Sequence, residues 1–362
     1  MKALGLIAQD RVELVEPPTP PVDQGLVGIK TLRTGICATD REIISSGFVR
    51  PPPGEAYIIL GHEMLGEVVE VGQGVSNFSR GDLVVGTVRR GCGKCLSCLN
   101  QRSDMCFTGE FKERGVRGLH GYGSEYAVEK PEHLVKVPAE LRDVAVLTEP
   151  LSISVKAVET ALTVQERLKF DGKYPPHAKV LIAGHGPIGT LAAFILSLRD
   201  FELYVTGIME ESDAQVQLLK KLGAQYITNR GTHLKDCATE LGGFFIIIEA
   251  IGHSPIAYEL ENYLGYNGVL VQTGITLGSS EIHLDSDKAM FRRVDKNQVI
   301  VGMVNSNIHH FRKAVGYLKE FKEKYGNLLN QVITHRYPLK DFRQALSNEE
   351  KNRVKIVIDF LS

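Results

Sequence analysis

The chain has 362 residues, more than one ordinary core supports, so two domains are expected. Hydrophobic residues make up 43% and charged residues 23%, the balance of a soluble globular protein. A formal net charge of -1 creates no global field that would draw the chain to nucleic acid or to an anionic membrane.

The apolar opening, Met1 to Ile7, reaches Asp10, Arg11 and Glu13 too soon for a secretory signal, and no later run attains membrane-spanning length. A cytoplasmic protein is the expectation. Up to about residue 150 the chain is rich in short β-patterned runs broken by Gly and Pro, such as Leu26 to Lys30, Gly66 to Val71 and Asp82 to Val85. Strands this closely spaced, with no long helical period between them, predict a barrel-like β domain. Pro51-Pro52-Pro53-Gly54 reads as a rigid loop.

The texture changes after Glu149-Pro150. Val155, Val158, Leu162 and Leu168 fall at helical spacing, and Asp171-Gly172 with Pro175-Pro176 then breaks the chain. From Ala178 onward strands alternate with helices. Lys179 to Ala183 is a buried strand, Leu191 to Leu198 a helix, and Leu203 to Thr206 the next strand; Phe245 to Glu249 and Gly268 to Val271 keep the rhythm. This alternation predicts a parallel sheet with crossover helices. The tail from about residue 304 holds a helix, Phe311 to Phe321, and a last strand, Val354 to Ile358.

Four of the six cysteines, Cys92, Cys95, Cys98 and Cys106, lie within fifteen residues. In a large cytosolic chain such a cluster points to metal rather than to disulfides. Four thiolates close a tetrahedron around one Zn²⁺ and leave no open position, so this set holds a lobe together and does no chemistry. The alternatives are four unrelated buried thiols, or a nucleic-acid zinc ribbon, which the spacing and the near-neutral charge disfavour.

Gly184-His185-Gly186-Pro187-Ile188-Gly189 follows a buried strand and opens a helix. That is the context in which a Gly-x-Gly-x-x-Gly turn seats a dinucleotide pyrophosphate at a helix N-terminus. Against it stands a glycine-rich turn in an unrelated α/β domain. Two further fragments, Cys37-Ala38-Thr39-Asp40 and Gly61-His62-Glu63, each carry metal-ligating side chains. Alone, each is more often structural. Together they supply the ligands of a catalytic zinc, which wants about three protein ligands and one open position.

The order of these parts, with Glu149-Pro150-Leu151 between the cysteine lobe and the dinucleotide turn, resembles the zinc-containing medium-chain alcohol dehydrogenases over essentially the whole chain. Thr39 to Ile43, Val88 to Cys92, Thr108 to Phe111, Thr148 to Leu151 and Gly302 to Asn305 look specifically like the archaeal glucose 1-dehydrogenases. The resemblance implies an α/β two-domain fold: a GroES-like β-barrel catalytic domain over residues 1–175 with a structural zinc lobe, a doubly wound Rossmann domain over 176–303, and a C-terminal segment, 304–362, returning to the catalytic domain.

It also implies roles. Cys37 and His62 match catalytic zinc ligands, and Glu63 and Glu149 match further ligand positions; which of the two carboxylates touches the ion is left open. A carboxylate at 149 departs from the Cys₂His set of alcohol dehydrogenase itself and looks like the sugar and polyol branches. Asp40 matches the carboxylate that orients the ligating His. Thr39 matches the hydroxyl that relays the substrate proton. Glu113 and Asn305 sit where the glucose enzymes contact sugar hydroxyls, with Thr39 and Glu149 also counted toward substrate. Two departures stand against a full transfer: Val88 where some relatives have Asn, and Asp295 where some have His.

The implied reaction is oxidation of the C1 hydroxyl of an aldose such as D-glucose to the lactone, with hydride passing to NAD⁺ or NADP⁺. The cofactor side comprises Gly184, Gly186, Pro187, Ile188 and Gly189, with Glu210 and Asn305. The second strand runs out at Gly207-Ile208-Met209-Glu210-Glu211, without Arg or Lys. Acidic residues near such a strand end bind the ribose 2′-hydroxyl, whereas Arg there receives a 2′-phosphate. NAD⁺ is therefore favoured, with NADP⁺ open to a cation that the fold brings in, Arg230 being one candidate; the two Glu residues equally read as helix N-terminal carboxylates. The partners expected are a small sugar and further copies of the chain as a homo-oligomer, with no nucleic acid and no membrane. The rival readings are a dehydrogenase of the same scaffold acting on another polyol, pentose or alcohol, and a non-catalytic zinc-binding relative.

Overall fold

The computed structural model describes residues 1–46, 50–276 and 278–360, and the chain divides into two units, 1–152 with 305–362, and 153–304. The helix Thr148–Gln165 begins in the first unit and continues in the second.

The first unit is built around the strand Val27–Ile36, whose Val27, Ile29, Leu32 and Ile36 are buried. It pairs antiparallel with Glu63–Val71 on one side and with Lys355–Asp359 on the other. Leu83–Gly86 and Leu134–Val137 extend the sheet beyond the first of these, and Ile333–Pro338 extends it beyond the second. Tyr126–Glu129 pairs with the start of the central strand. Ile29, Met64, Val68, Phe78, Val84 and Tyr122 fill one core of this unit; Leu4, Ile36, Ile58, Phe342, Ile356 and Ile358 fill another.

Register decides what meets at one end of the central strand. Gly35 lies opposite Glu63, and Ile36 lies opposite Ile356. Cys37 is therefore the first residue past the strand, His62 the last before its neighbour, and Lys355 the first residue of the strand on the far side. Gly35 leaves room for the Glu63 side chain, because a Cβ on it would lie 1.9 Å from Glu63 Oε2 and force that carboxylate to shift.

The second unit is the predicted parallel α/β fold. Six strands pair in parallel in the spatial order Gln225–Thr228, Glu202–Gly207, Lys179–Ala183, Phe244–Glu249, Leu264–Gln272, Val299–Gly302. The sheet winds outward from Lys179–Ala183 in both directions, the Rossmann order. Val180, Leu181, Ile182 and Ala183 are fully buried, as a strand covered on both faces requires. The first crossover helix is Pro187–Leu196, with proline at its first position, where the missing N–H costs no hydrogen bond. Among the described residues no helix is long and apolar enough to cross a membrane.

Candidate active site

Cys37, Asp40, His62, Glu63 and Glu149, five of the residues singled out above, come together in the first unit. Cys37 Sγ and His62 Nε2 are 3.1 Å apart. A zinc ion shared by a thiolate and an imidazole holds those atoms about 3.5 Å apart, given its usual bond lengths and tetrahedral angle. The ligand atoms of His62, Glu63 and Glu149 all lie within 4.8 Å of one another.

Asp40 stands behind the imidazole. Its Oδ1 is 3.4 Å from His62 Nδ1, and its Oδ2 accepts the backbone N–H of Cys37 at 2.9 Å. The second contact follows from local structure, since Cys37 immediately precedes the helix Ala38–Ser46 and Asp40 sits in its first turn. The His62 ring is thus presented with Nδ1 toward the carboxylate and Nε2 toward the sulfur, the orientation of a metal-ligating histidine. Burial alone would lower the imidazole pKa; Cys37 and Asp40 outweigh it and raise His62 well above its usual range. The Thr39 backbone N–H donates to Cys37 Sγ at 3.2 Å.

Glu149, in the first turn of Thr148–Gln165, is buried. Burial, reinforced by the nearby charge of Glu63 and opposed by His62, lifts its carboxyl to about 7. The group sets one thiol and three carboxyls against the His62 imidazole and one ammonium, and thiolate, imidazole and carboxylate are the donors that zinc takes. The donor set therefore fits a zinc ion. Lys355 is that ammonium, and sequence reading passed over it: its Nζ lies 2.6 and 2.8 Å from the two oxygens of Glu63.

Glu113 and Asn305 meet as well. Asn305 Nδ2 donates to Glu113 Oε1 at 2.7 Å, and the same oxygen accepts from Arg89 Nε at 3.0 Å. Arg89 lies over the Phe111 ring, 3.7 Å from its centroid. Val88 is buried, whereas Asp295, in the second unit, is exposed at the end of the helix Ser286–Asp295.

The ligand atoms of Cys92, Cys95, Cys98 and Cys106 also lie within 4.8 Å of one another. Cys92 Sγ and Cys98 Sγ are 3.8 Å apart, matching the separation of about 3.8 Å that two thiolates take around one tetrahedral zinc.

In the second unit, Gly184 turns the chain at φ +108° between strand and helix. A Cβ on Gly189 would lie 2.0 Å from the Gly184 carbonyl, so strand and helix meet backbone to backbone, while a Cβ on Gly186 would meet nothing. That open position borders the N-terminus of Pro187–Leu196, as a pyrophosphate cradle requires. Pro187 and Ile188 form the first helical positions. Glu210, beyond the strand Glu202–Gly207, is exposed and ion-paired to Arg230. Asn305, read above as both a substrate and a cofactor position, belongs to the first unit.

Comparison with known proteins agrees with this geometry. Residues 23–139 match the alcohol dehydrogenase GroES-like domain, and residues 142–360, more than half of the chain, match the glucose dehydrogenase C-terminus. The chain belongs to the glucose dehydrogenase family. Among members of that family, glucose 1-dehydrogenase of Methanocella arvoryzae is 34% identical over 97% of this chain and 96% of its own. Glucose 1-dehydrogenase 1 of Vulcanisaeta moutnovskia is 37% identical over the full length of both. The solved Haloferax mediterranei glucose dehydrogenase, in complex with NADP, Zn and gluconolactone, superposes with a TM-score of 0.89 at 29% identity, covering 100% of both chains.

Proposed function

We propose that this glucose dehydrogenase family member is a zinc-dependent glucose 1-dehydrogenase. It oxidises the C1 hydroxyl of an aldose such as D-glucose to the lactone and passes hydride to NAD⁺ or NADP⁺. The observation that carries this reading is the placing of His62, whose ligand atoms lie within 4.8 Å of Cys37 in one group and of Glu63 and Glu149 in another, with Asp40 behind the imidazole. The gluconolactone and NADP held by the Haloferax enzyme are the kind of product and cofactor it expects.

In this reading the first unit does the chemistry and the second binds the dinucleotide. Cys37, His62 and Glu149 hold the catalytic zinc, which when bound supplies a Lewis acid that favours ionisation of the substrate hydroxyl. Asp40 fixes the His62 ring, so that Nε2 rather than Nδ1 faces the metal. Thr39 takes the hydroxyl proton and passes it outward. Glu113 and Asn305 bind sugar hydroxyls, and a sugar lacking one of these leaves buried polar groups unmet. Gly184, Gly186, Pro187, Ile188 and Gly189 seat the pyrophosphate, and Glu210 takes the ribose 2′-hydroxyl. Cys92, Cys95, Cys98 and Cys106 hold a second, structural zinc.

A cytoplasmic location is supported by the six thiols, which a reducing compartment keeps free for metal. A homo-oligomer is supported by exposed Met290, Phe291 and Val294 on the helix Ser286–Asp295.

The test is formation of reduced nicotinamide by the zinc-loaded protein with aldoses, pentoses, polyols and simple alcohols, each with both cofactors. Lactone formation from an aldose at the highest kcat/KM is the expected result. Activity confined to polyols or simple alcohols would move the protein to another branch of the same scaffold.

A further inference from the structure

Asp104 lies inside the four-cysteine segment, on the short helical turn Ser103–Met105 between Cys98 and Cys106, yet it is buried. Its backbone and its side chain reach in two directions. The Asp104 carbonyl accepts from Arg89 Nη1 at 3.1 Å, and the same guanidinium donates through Nε to Glu113 Oε1. Asp104 Oδ1 accepts from Asn307 Nδ2 at 2.8 Å, and Asn307 is buried as well. The other end of the Asn307 amide, Oδ1, caps the helix Ile308–Tyr325 by accepting from the backbone of His309 and His310. One residue of the cysteine segment is thus bonded to the partner of Glu113 and to the residue two places beyond Asn305, and Glu113 and Asn305 are themselves a hydrogen-bonded pair.

Asn305 is a residue that has to be held. Its backbone sits at φ +59°, in the left-handed region that few non-glycine residues adopt. Its Oδ1 accepts the N–H of Ser306, which leaves Nδ2 to face Glu113. Ser306 Oγ lies 2.6 Å from Ser152 Oγ, so residue 306 is tied on one side and residue 307, through Asp104, on another. A polar pair reads a sugar hydroxyl only while both members stay in place, and a misplacement of about 1 Å is costly. Resting on the reading of Glu113 and Asn305 as sugar contacts, we propose that Asp104 is a positioning residue for substrate selectivity. Through Asn307 and Arg89 it fixes Asn305 and Glu113, and so makes the four-cysteine segment part of the sugar-binding apparatus.

The experiment takes the zinc-loaded protein, its best aldose, and analogues of that aldose each lacking one hydroxyl other than that at C1. It measures kcat, KM for the sugar and KM for the cofactor. Asn305→Ala is the reference: it identifies the hydroxyl that the pair reads, as the analogue whose penalty against the parent sugar shrinks. Asp104→Ala shrinks the penalty for that same analogue and raises KM for the parent sugar about tenfold, on the order of one hydrogen bond to a charged group. Its kcat and cofactor KM stay within about twofold, the pattern of lost substrate binding. Asp104→Asn, which keeps an acceptor for Asn307, brings the sugar KM most of the way back. Asn307→Ser retains a helix cap but removes the donor to Asp104, and it gives the same pattern should Asp104→Ala not fold. Variants at 104 and 307 that lower Tm while leaving sugar KM and the analogue penalty unchanged would overturn the role of Asp104. A protein without aldose activity, or an Asn305→Ala that leaves every penalty unchanged, would overturn the sugar reading of the pair, and this proposal with it.

Discussion

Arg230 Nη1 lies 2.5 Å from Glu210 Oε1, and Arg230 Nη2 donates to the Ile208 carbonyl at 3.0 Å, so a cation stands at a strand end whose own residues supply none. Glu210 suits the ribose 2′-hydroxyl of NAD⁺, whereas Arg230 can turn from it to a 2′-phosphate. NAD⁺ is expected to give the higher kcat/KM, with NADP⁺ also used. Arg230→Gln should lower kcat/KM for NADP⁺ about tenfold while leaving NAD⁺ within about twofold, since charge-assisted contacts to phosphate are the strong ones. Glu210→Gln should move the preference the other way. Steady-state kinetics with both cofactors decides it, and equal losses with the two cofactors would remove Arg230 from this role.

Two zinc ions of unequal lability are expected per chain. The four thiols lie within reach of one ion and would close its coordination, whereas the proposed set of Cys37, His62 and Glu149 would leave an open position through which a chelator can attack. Mild chelation should remove one zinc together with all activity and leave the other in place. Cys98→Ser should reverse the order, releasing the structural ion first and loosening residues 92–106 to proteolysis. A fully active protein without metal would end this reading.

Thr39→Val should retain zinc, because the contact of residue 39 with Cys37 Sγ is made by its backbone N–H. Turnover should nevertheless fall by about 10²- to 10⁴-fold, the usual worth of a positioned proton-transfer group. Metal analysis beside kcat separates the two effects. Unchanged turnover across the pH range would mean that water or another group carries the proton.

Glu129 gathers a buried network away from the zinc ligands. Its Oε2 accepts from Arg90 at 2.5 Å, from Arg114 Nε at 3.0 Å and from the Tyr122 hydroxyl at 3.1 Å. Burial alone would raise its pKa; Arg114 and Arg90 overcome that and hold the carboxyl well below the usual range. Glu129→Gln removes the counter-charge of two largely buried guanidinium groups, which keep only neutral acceptors such as the Thr87, His120 and Val128 carbonyls, and should cost about 3–5 kcal/mol, as breaking a buried pair does. The expected drop in apparent Tm at neutral pH is on the order of 10 °C.

His133 sets a separate acid limb. Burial first, then repulsion by Arg90, depress its pKa to about 4. Below its ordinary pKa of about 6.5 the unfolded chain takes up a proton that the folded chain refuses, so this contribution is complete above pH 6.5 and is lost as pH falls toward 4. His133→Asn should flatten Tm against pH in that window. An unaltered slope would assign the acid sensitivity to other groups.

The dinucleotide turn, the four-cysteine lobe and the Cys37 and His62 fragments were legible in sequence because each is local: residue type and spacing name the chemistry before any contact is known. Lys355 was not. In Val354-Lys355-Ile356 it reads as the polar position of an alternating strand, and only the pairing of that strand with Val27–Ile36 buries it against Glu63. The joining of Glu113 to Asn305 across 192 residues was hidden in the same way; resemblance had brought the two together as sugar contacts, but not as partners of each other. Element edges escaped for a different reason. The helix expected over Phe311 to Phe321 runs from Ile308 to Tyr325, because Asn307 caps it by accepting from His309 and His310, which apolar spacing does not register.

The pairing of Lys355 with Glu63 joins positions 292 residues apart. A ribosome delivers Cys37, His62, Glu63 and Glu149 long before it delivers Lys355. During most of synthesis Glu63 has no ammonium beside it. Insertion of the strand Lys355–Asp359 beside Val27–Ile36 is therefore the event that gives the Glu63 carboxylate its counter-charge, so the charge balance of the site is completed only when nearly the whole chain has been made.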